Sequence, residues 1–177
     1  TDEGVMKITE HIIHDVLLDS VPKSTITQEV WLLNKLEYFT PNDIPKEIQI
    51  YEAKVKQLGV GKSGKVGILD LELQKDSTGK AVVTRQFSQV PLQFQRVLYP
   101  ENSLPEMAYL YVMSPSGGIL QGDRYRIDVL LKNKAIAHMT TQGATSIYSM
   151  NTNFASQIVN ITVNENCYLE YIPDQII

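Results

Sequence analysis

"KQLGVGKSGKVGILDLEL", residues 56–73, holds the point at which the chain changes its spacing rule. Before Gly59 apolar residues return every three or four positions, and after Gly64 they return every second one. Leu69, Leu71 and Leu73 alternate with Asp70, Glu72 and Gln74, which puts the two sets on opposite faces of a strand. Glycines at 59, 61 and 64 separate the two regimes, and residues 59–64 read as a glycine hinge. The same stretch comes within one residue of a phosphate-cradling loop, Gly59-x-x-x-x-Gly64-Lys65. Val66 stands where Ser or Thr would hold Mg²⁺. The context is also reversed, with a helical pattern before the loop and a strand after it, so no helix N-terminus faces a phosphate. The stretch is read as a hinge, not a nucleotide site.

Downstream, Tyr125, Ile127, Val129 and Leu131 alternate with mostly polar partners, as do Val159, Ile161 and Val163. Ala108–Met113 is apolar on both faces, the pattern of a strand buried from two sides. Turn signals part these runs at Asp76-Ser-Thr-Gly79, Pro100-Glu-Asn-Ser103, Ser114-Pro-Ser-Gly117, Lys132-Asn-Lys134 and Asn164-Glu-Asn166. Short strands and frequent turns without intervening helices predict an all-β body over 65–177. Upstream, Val5, Ile8, Ile12 and Val16 keep a helical period. Thr25-Ile-Thr-Gln28 reads as a capping box before Ile26, Val30, Leu33 and Leu36. Ile48, Tyr51, Val55 and Leu58 outline a third helix from Pro45. Residues 1–58 are therefore expected to be a helical N-terminal extension.

Length and composition set the bounds. A chain of 177 residues with 43% apolar and 20% charged residues suits one domain with a core, or one domain with an appendage. A net charge of −4 argues against nucleic acid as a partner. No apolar run approaches the roughly 18–20 residues of a membrane span, and Thr1–Glu10 lacks the order of a secretory leader. Cys167, the one cysteine, fits a reducing compartment and reads as a small buried hydrophobe. A cytoplasmic setting is expected.

His11, His14 and Asp15 would share one helix face and present a donor set for Ni²⁺ or Zn²⁺, but no fourth ligand stands near. His138 reads as an imidazole satisfied at a strand edge. Gly117-Gly118-Ile-Leu-Gln-Gly122-Asp123-Arg124 demands unusual backbone angles or a close approach of another chain. Asp123-Arg124 there reads as a local ion pair or a partner contact, and the run reads equally as no more than a tight strand connection. Thr140-Thr141-Gln142-Gly143-Ala144-Thr145 is small, polar and uncharged, suited to lining a wet passage or pinning a neighbouring backbone. No nucleophile–base order and no close carboxylate pair stands out, so no catalytic apparatus is expected.

These last two segments carry a family resemblance. Pro115, Gly117, Gly118, Gly122 and Asp123, then Thr140, Thr141, Gln142, Ala144, Thr145 and Tyr148, resemble the motifs of the urease accessory protein UreD, also called UreH. Ala155 and Gln157, the run Leu169-Glu170-Tyr-Ile-Pro173-Asp-Gln-Ile176, and Pro91-Leu-Gln-Phe-Gln-Arg96 with Tyr99-Pro100 follow the same family pattern over 65–177. Gln121 departs from the usual glycine and Tyr171 from the usual tryptophan. The family continues through a further β-rich half, so the chain is expected to be a fragment or to be completed by another chain. Residues 1–58 have no counterpart in the pattern.

The resemblance implies a stacked β-sheet, β-helix-like scaffold behind the N-terminal helical arm. It also implies a non-enzymatic chaperone that binds urease apoprotein and the UreF–UreG machinery, with GTP hydrolysis left to UreG, and assists nickel delivery. No tightly bound cofactor is implied, only transient Ni²⁺. Gly118, Gly122, Asp123, Arg124, Thr141, Gln142, Tyr148 and Glu170 are the residues it marks for partner binding or a nickel conduit. The alternative is a nickel- or zinc-binding module built on His11, His14 and Asp15.

Overall fold

The computed structural model describes residues 44–49, 64–151 and 153–177. One helical turn, α1 (Lys46–Gln49), precedes eight strands. These are β1 (Val66–Lys75), β2 (Ala81–Gln89), β3 (Gln93–Phe94), β4 (Ala108–Met113), β5 (Arg124–Lys132), β6 (Ile136–Thr141), β7 (Ser156–Val163) and β8 (Tyr168–Tyr171). The turn α1 falls within the third expected helix, while the rest of that helix, the first two and most of the glycine hinge lie outside the described residues.

The strands form two four-stranded sheets, β2-β1-β5-β7 and β3-β4-β6-β8. Each has one antiparallel pair, β1–β2 and β3–β4, and is otherwise parallel. From β4 onward the chain alternates between the sheets. Parallel neighbours always need a crossover, and here the crossover from β5 to β7 is β6 of the other sheet. Each pass thus adds one strand to both sheets, which gives the stacked layering that the resemblance implied and the all-β body that the alternating runs called for.

The stacking aligns like with like. Leu69 lies beside Ile127 and Ile127 beside Val159, while Leu71, Val129 and Ile161 form the next column. In the facing sheet Ala108, Ala137 and Leu169 align, as do Leu110, Met139 and Tyr171. The two inner faces share one core. Leu69, Leu71, Leu110, Leu131 and Met139 are fully buried, whereas Val159, Ile161, Leu169 and Tyr171 on the last strands are only partly so.

Between β5 and β6 the tip turns through Asn133 and Lys134, with φ of 54° and 61°, and between β7 and β8 through Asn166, with φ of 60°. Asparagine visits this left-handed region more readily than other side-chain-bearing residues. The second tip sits on the first, because the amide of Tyr168 donates to the Ala135 carbonyl at 3.0 Å.

β4 differs from its expected burial. Ala108, Leu110 and Val112 face the core, but Tyr109 is half-buried and Tyr111 is 41% exposed. Tyrosine pairs an apolar ring with a hydroxyl that prefers water, so Tyr109 and Tyr111 fit an outer face as well as an inner one. The outer face of the β2-β1-β5-β7 sheet is ionic instead. Arg85 reaches Asp70 at 3.0 Å, Lys132 reaches Glu72 at 2.6 Å and Arg126 reaches Asp128 at 2.7 Å.

Leu71→Ala should lower stability by about 2–5 kcal/mol, the range for deleting a buried leucine side chain. Urea unfolding followed by circular dichroism measures it, and a wild-type midpoint would contradict the shared core.

Candidate functional site

The strongest polar cluster lies at the end of the sandwich where β1, β5 and β7 begin and β4 and β6 finish. Its centre is Asp123, whose side chain is fully buried. Oδ1 accepts from the Lys65 amide at 2.8 Å. Oδ2 accepts from the Leu120 amide at 2.9 Å and from the Tyr125 hydroxyl at 3.1 Å. The ammonium of Lys65, itself 2% exposed, lies 3.3 Å from Oδ2 and 3.5 Å from the Gly118 carbonyl. A buried carboxylate is tolerable only with such partners. Burial, with the nearby Asp123 charge, pushes the Tyr125 hydroxyl well above its usual range, so it stays a donor.

Arg124 leaves Asp123 to Lys65. Its guanidinium donates to the backbone carbonyls of Asp123 (3.0 Å) and Phe154 and stacks on the Phe154 ring, 4.3 Å from the centroid. Of the two readings open for Asp123-Arg124, the carboxylate's ionic partner proves to be Lys65. The sequence pattern placed that lysine only in the glycine loop; its ammonium is engaged inside the protein.

The glycines have distinct work. Gly122 has φ of +79°, and a Cβ there would stand 3.2 Å from the Gly64 Cα. Gly118 has φ of +141°, and a Cβ would stand 2.7 Å from Cε2 of Tyr148 and 2.8 Å from the Ser146 carbonyl. The 117–122 loop therefore packs against the 146–148 segment, and the Tyr148 hydroxyl donates to the Gly117 carbonyl at 3.2 Å.

Beside this knot is a cavity of about 660 Å³. Gly118, Thr141, Gln142, Ser146, Gln157 and Asp174 contribute to its wall, with Tyr125, Ile127 and Tyr171 as part of its apolar floor. Among the described residues Asp174 is the one charged side chain in the lining, and none of those lining it is a histidine or cysteine. Of the residues marked from sequence, Gly118, Thr141 and Gln142 line it. Gly122, Asp123 and Arg124 sit in the buried knot, and Tyr148 is 52% exposed outside the cavity. Asp174 carries no spacing signal of its own, standing alone among Ile172, Pro173, Gln175 and Ile176.

Glu170 stands elsewhere, on the outer face of the other sheet, in register with His138 and Tyr109. His138 Nδ1 lies 2.8 Å from its carboxylate and the Tyr168 hydroxyl donates to it at 3.0 Å. The Tyr109 ring stacks on His138 with centroids 4.9 Å apart. His138 is thus satisfied, as its context suggested, but in the middle of β6, which lies between β4 and β8, and not at a strand edge. His11, His14 and Asp15 lie outside the described residues. Among the described residues no three His, Cys, Asp or Glu side chains cluster as a metal site, and no helix is long and apolar enough to cross a membrane.

Residues 65–177 match the family described as UreD urease accessory protein. The chain is similar to the urease accessory protein UreD of Cenarchaeum symbiosum, 57% identical over 121 residues, 68% of this chain and 42% of the relative. It is similar to that of Yersinia enterocolitica, 40% identical over 131 residues, 74% of this chain and 40% of the relative. It also resembles UreD 2 of Methylorubrum extorquens, 40% identical over 132 residues and 42% of the relative. The chain thus spans about two-fifths of the length of the curated relatives it matches.

Two outcomes follow from the geometry. Asp123→Ala leaves the Lys65 ammonium buried and uncompensated, and should cost about 3–5 kcal/mol in urea unfolding; adding Lys65→Met should recover the part due to the stranded ammonium but not the part due to the Lys65 amide, Leu120 amide and Tyr125 hydroxyl left without their acceptor. Equal stability of Asp123→Ala and wild type would refute the buried pair. The Glu170 carboxyl is held below the usual glutamate range, first by the His138 hydrogen bond and then by Tyr168. A depressed value means that this stabilisation is present above the ordinary glutamate value and lost as pH falls through the folded one. In an NMR titration His138→Ala should move the Glu170 midpoint up, and an unmoved midpoint would reject the pairing.

Proposed function

The chain belongs to the UreD family of urease accessory proteins, and from that premise we propose that it acts as a maturation chaperone with no turnover of its own. It binds urease apoprotein and UreF, reaches the UreG GTPase through that complex, and helps nickel pass to the urease active site in the cytoplasm. Nickel is cargo in this reading, not a resident cofactor.

The chemistry of the cavity wall carries the proposal. Amide and hydroxyl oxygens from Gln142, Gln157, Thr141 and Ser146, with the carboxylate of Asp174, offer weak oxygen donors to a hydrated divalent cation. Imidazole and thiolate ligands would hold Ni²⁺ far more tightly, and a passage must release what it admits. Gly122, Asp123 and Arg124 support this wall from behind, because the Lys65 and Leu120 contacts of Asp123 fix the loop that carries Gly118. Exposed Tyr148 and half-exposed Glu170 are available to partners.

The test is nickel-dependent activation of urease apoprotein reconstituted with UreF, UreG and this chain. Gln142→Ala and Asp174→Asn should each reduce activated urease severalfold while co-purification and unfolding midpoint stay at wild type. Full activation by the double variant would sink the conduit. Failure of the wild-type chain to co-purify with either partner would sink the chaperone reading itself.

A further inference from the structure

The two outer faces of the sandwich have opposite chemistry. On the β2-β1-β5-β7 sheet the charged side chains neutralise one another, as Arg85 does Asp70 and Lys132 does Glu72. On the other sheet no lysine or arginine stands at an outward position of β4, β6 or β8. That face shows Tyr111 at 41% exposure, Tyr168 at 54% and, just past β8, Ile172 at 58%. At its middle lie Tyr109, His138 and Glu170, aligned across three strands.

An exposed face rich in tyrosine and isoleucine and poor in lysine has the composition of the desolvated centre of a protein interface. Its electrostatics narrow the occupant. Glu170 is the only carboxylate at an outward position of β4, β6 or β8. Among the described residues its two hydrogen-bond partners are an imidazole and a phenol, neither of which is a permanent cation. Covering this face with a purely apolar partner would bury a carboxylate to which those residues bring no fixed positive charge, which is costly. Arginine fits both features: its planar guanidinium pairs with a carboxylate and stacks on tyrosine rings.

We propose that the outer face of the β3-β4-β6-β8 sheet is a docking surface for a protein partner that presents an arginine, flanked by apolar side chains, to Glu170 between Tyr111 and Tyr168. The proposal deepens the chaperone reading and rests on it for its first probes, urease apoprotein and UreF. It assigns the binding to a face away from the cavity.

Biolayer interferometry of the full chain against each protein gives one arm. Glu170→Arg and Tyr111→Ala should each weaken binding about tenfold or more, the scale of an interface hot spot. Lys75→Glu, at the exposed end of β1, should leave it unchanged. Wild-type affinity for both partners in both variants overturns the proposal. The second arm needs neither protein. NMR shift mapping compares a short peptide carrying one arginine between leucines with its citrulline counterpart. Shifts at Tyr111, Tyr168 and Glu170 with the arginine peptide alone support the surface even if urease apoprotein and UreF fail to bind, in which case only the chaperone reading falls. No protein binding and no arginine-dependent shift overturns the surface as well. A homodimer that Tyr111→Ala dissolves also overturns it, since the occupant would then be a second copy.

Discussion

At the head of the sandwich one carboxylate is shared by parts of the chain far apart in sequence. Asp123 holds the Lys65 amide and ammonium at the entry to β1, the Leu120 amide in the preceding loop and the Tyr125 hydroxyl inside β5. An ion pair so buried adds little net stability, because desolvation of both charges offsets their attraction. Its effect is on alignment. With Lys65 held at Asp123, Val66 falls opposite Arg124, and Leu69, Leu71 and Leu73 fall opposite Ile127, Val129 and Leu131. A slip of one residue would turn every one of those leucines to the ionic outer face. The same contacts fix the 117–122 loop, so the wall of the cavity and the register of the core share one anchor.

Much of this was legible in the chain, for a physical reason. Leu69, Leu71 and Leu73 announced β1, and the matching alternations from Tyr125 and Val159 announced β5 and β7, because a half-buried strand must show period two. The turns at Lys132–Lys134 and Asn164–Asn166 fell where asparagine supplies left-handed angles. β2 carried no comparable signal: Ala81-Val-Val-Thr-Arg-Gln-Phe mixes its faces across a bulge opposite Glu72 and Leu73. The four-residue β8 was too short to show a period, and β4 misled because tyrosine does not declare a side. The Lys65–Asp123 pair was invisible for another reason, since two residues 58 apart carry no mutual spacing rule. Family motifs brought Gly118, Thr141 and Gln142 to notice, and the structure places them in one cavity wall. The motif residue Glu170 lies on a different face, because a linear motif does not record which side of a strand each residue faces.

The molecule therefore has two chemically different regions. The cavity end sets hydroxyl and amide groups over an apolar floor, beside the loop that Asp123 anchors. The β3-β4-β6-β8 outer face is aromatic and holds a single carboxylate. Both depend on strands β4 and β6: their inward ends reach the cavity through Val112 and Thr141, and their outward residues Tyr109 and His138 build the aromatic face. A ligand on one side and a partner on the other would share the same two strands.

The pairing of β1 with β5 also sets a timetable for synthesis. The β1–β2 hairpin leaves the ribosome well before its parallel neighbour, with 58 residues between Lys65 and Asp123. At about 5–20 residues per second, that is a delay of roughly 3–12 s. During it Leu69, Leu71 and Leu73 have no third strand beside them and no facing sheet, and the Lys65 ammonium has no counter-ion. The nascent hairpin therefore carries an apolar face of the kind that holdase chaperones bind until its neighbours arrive.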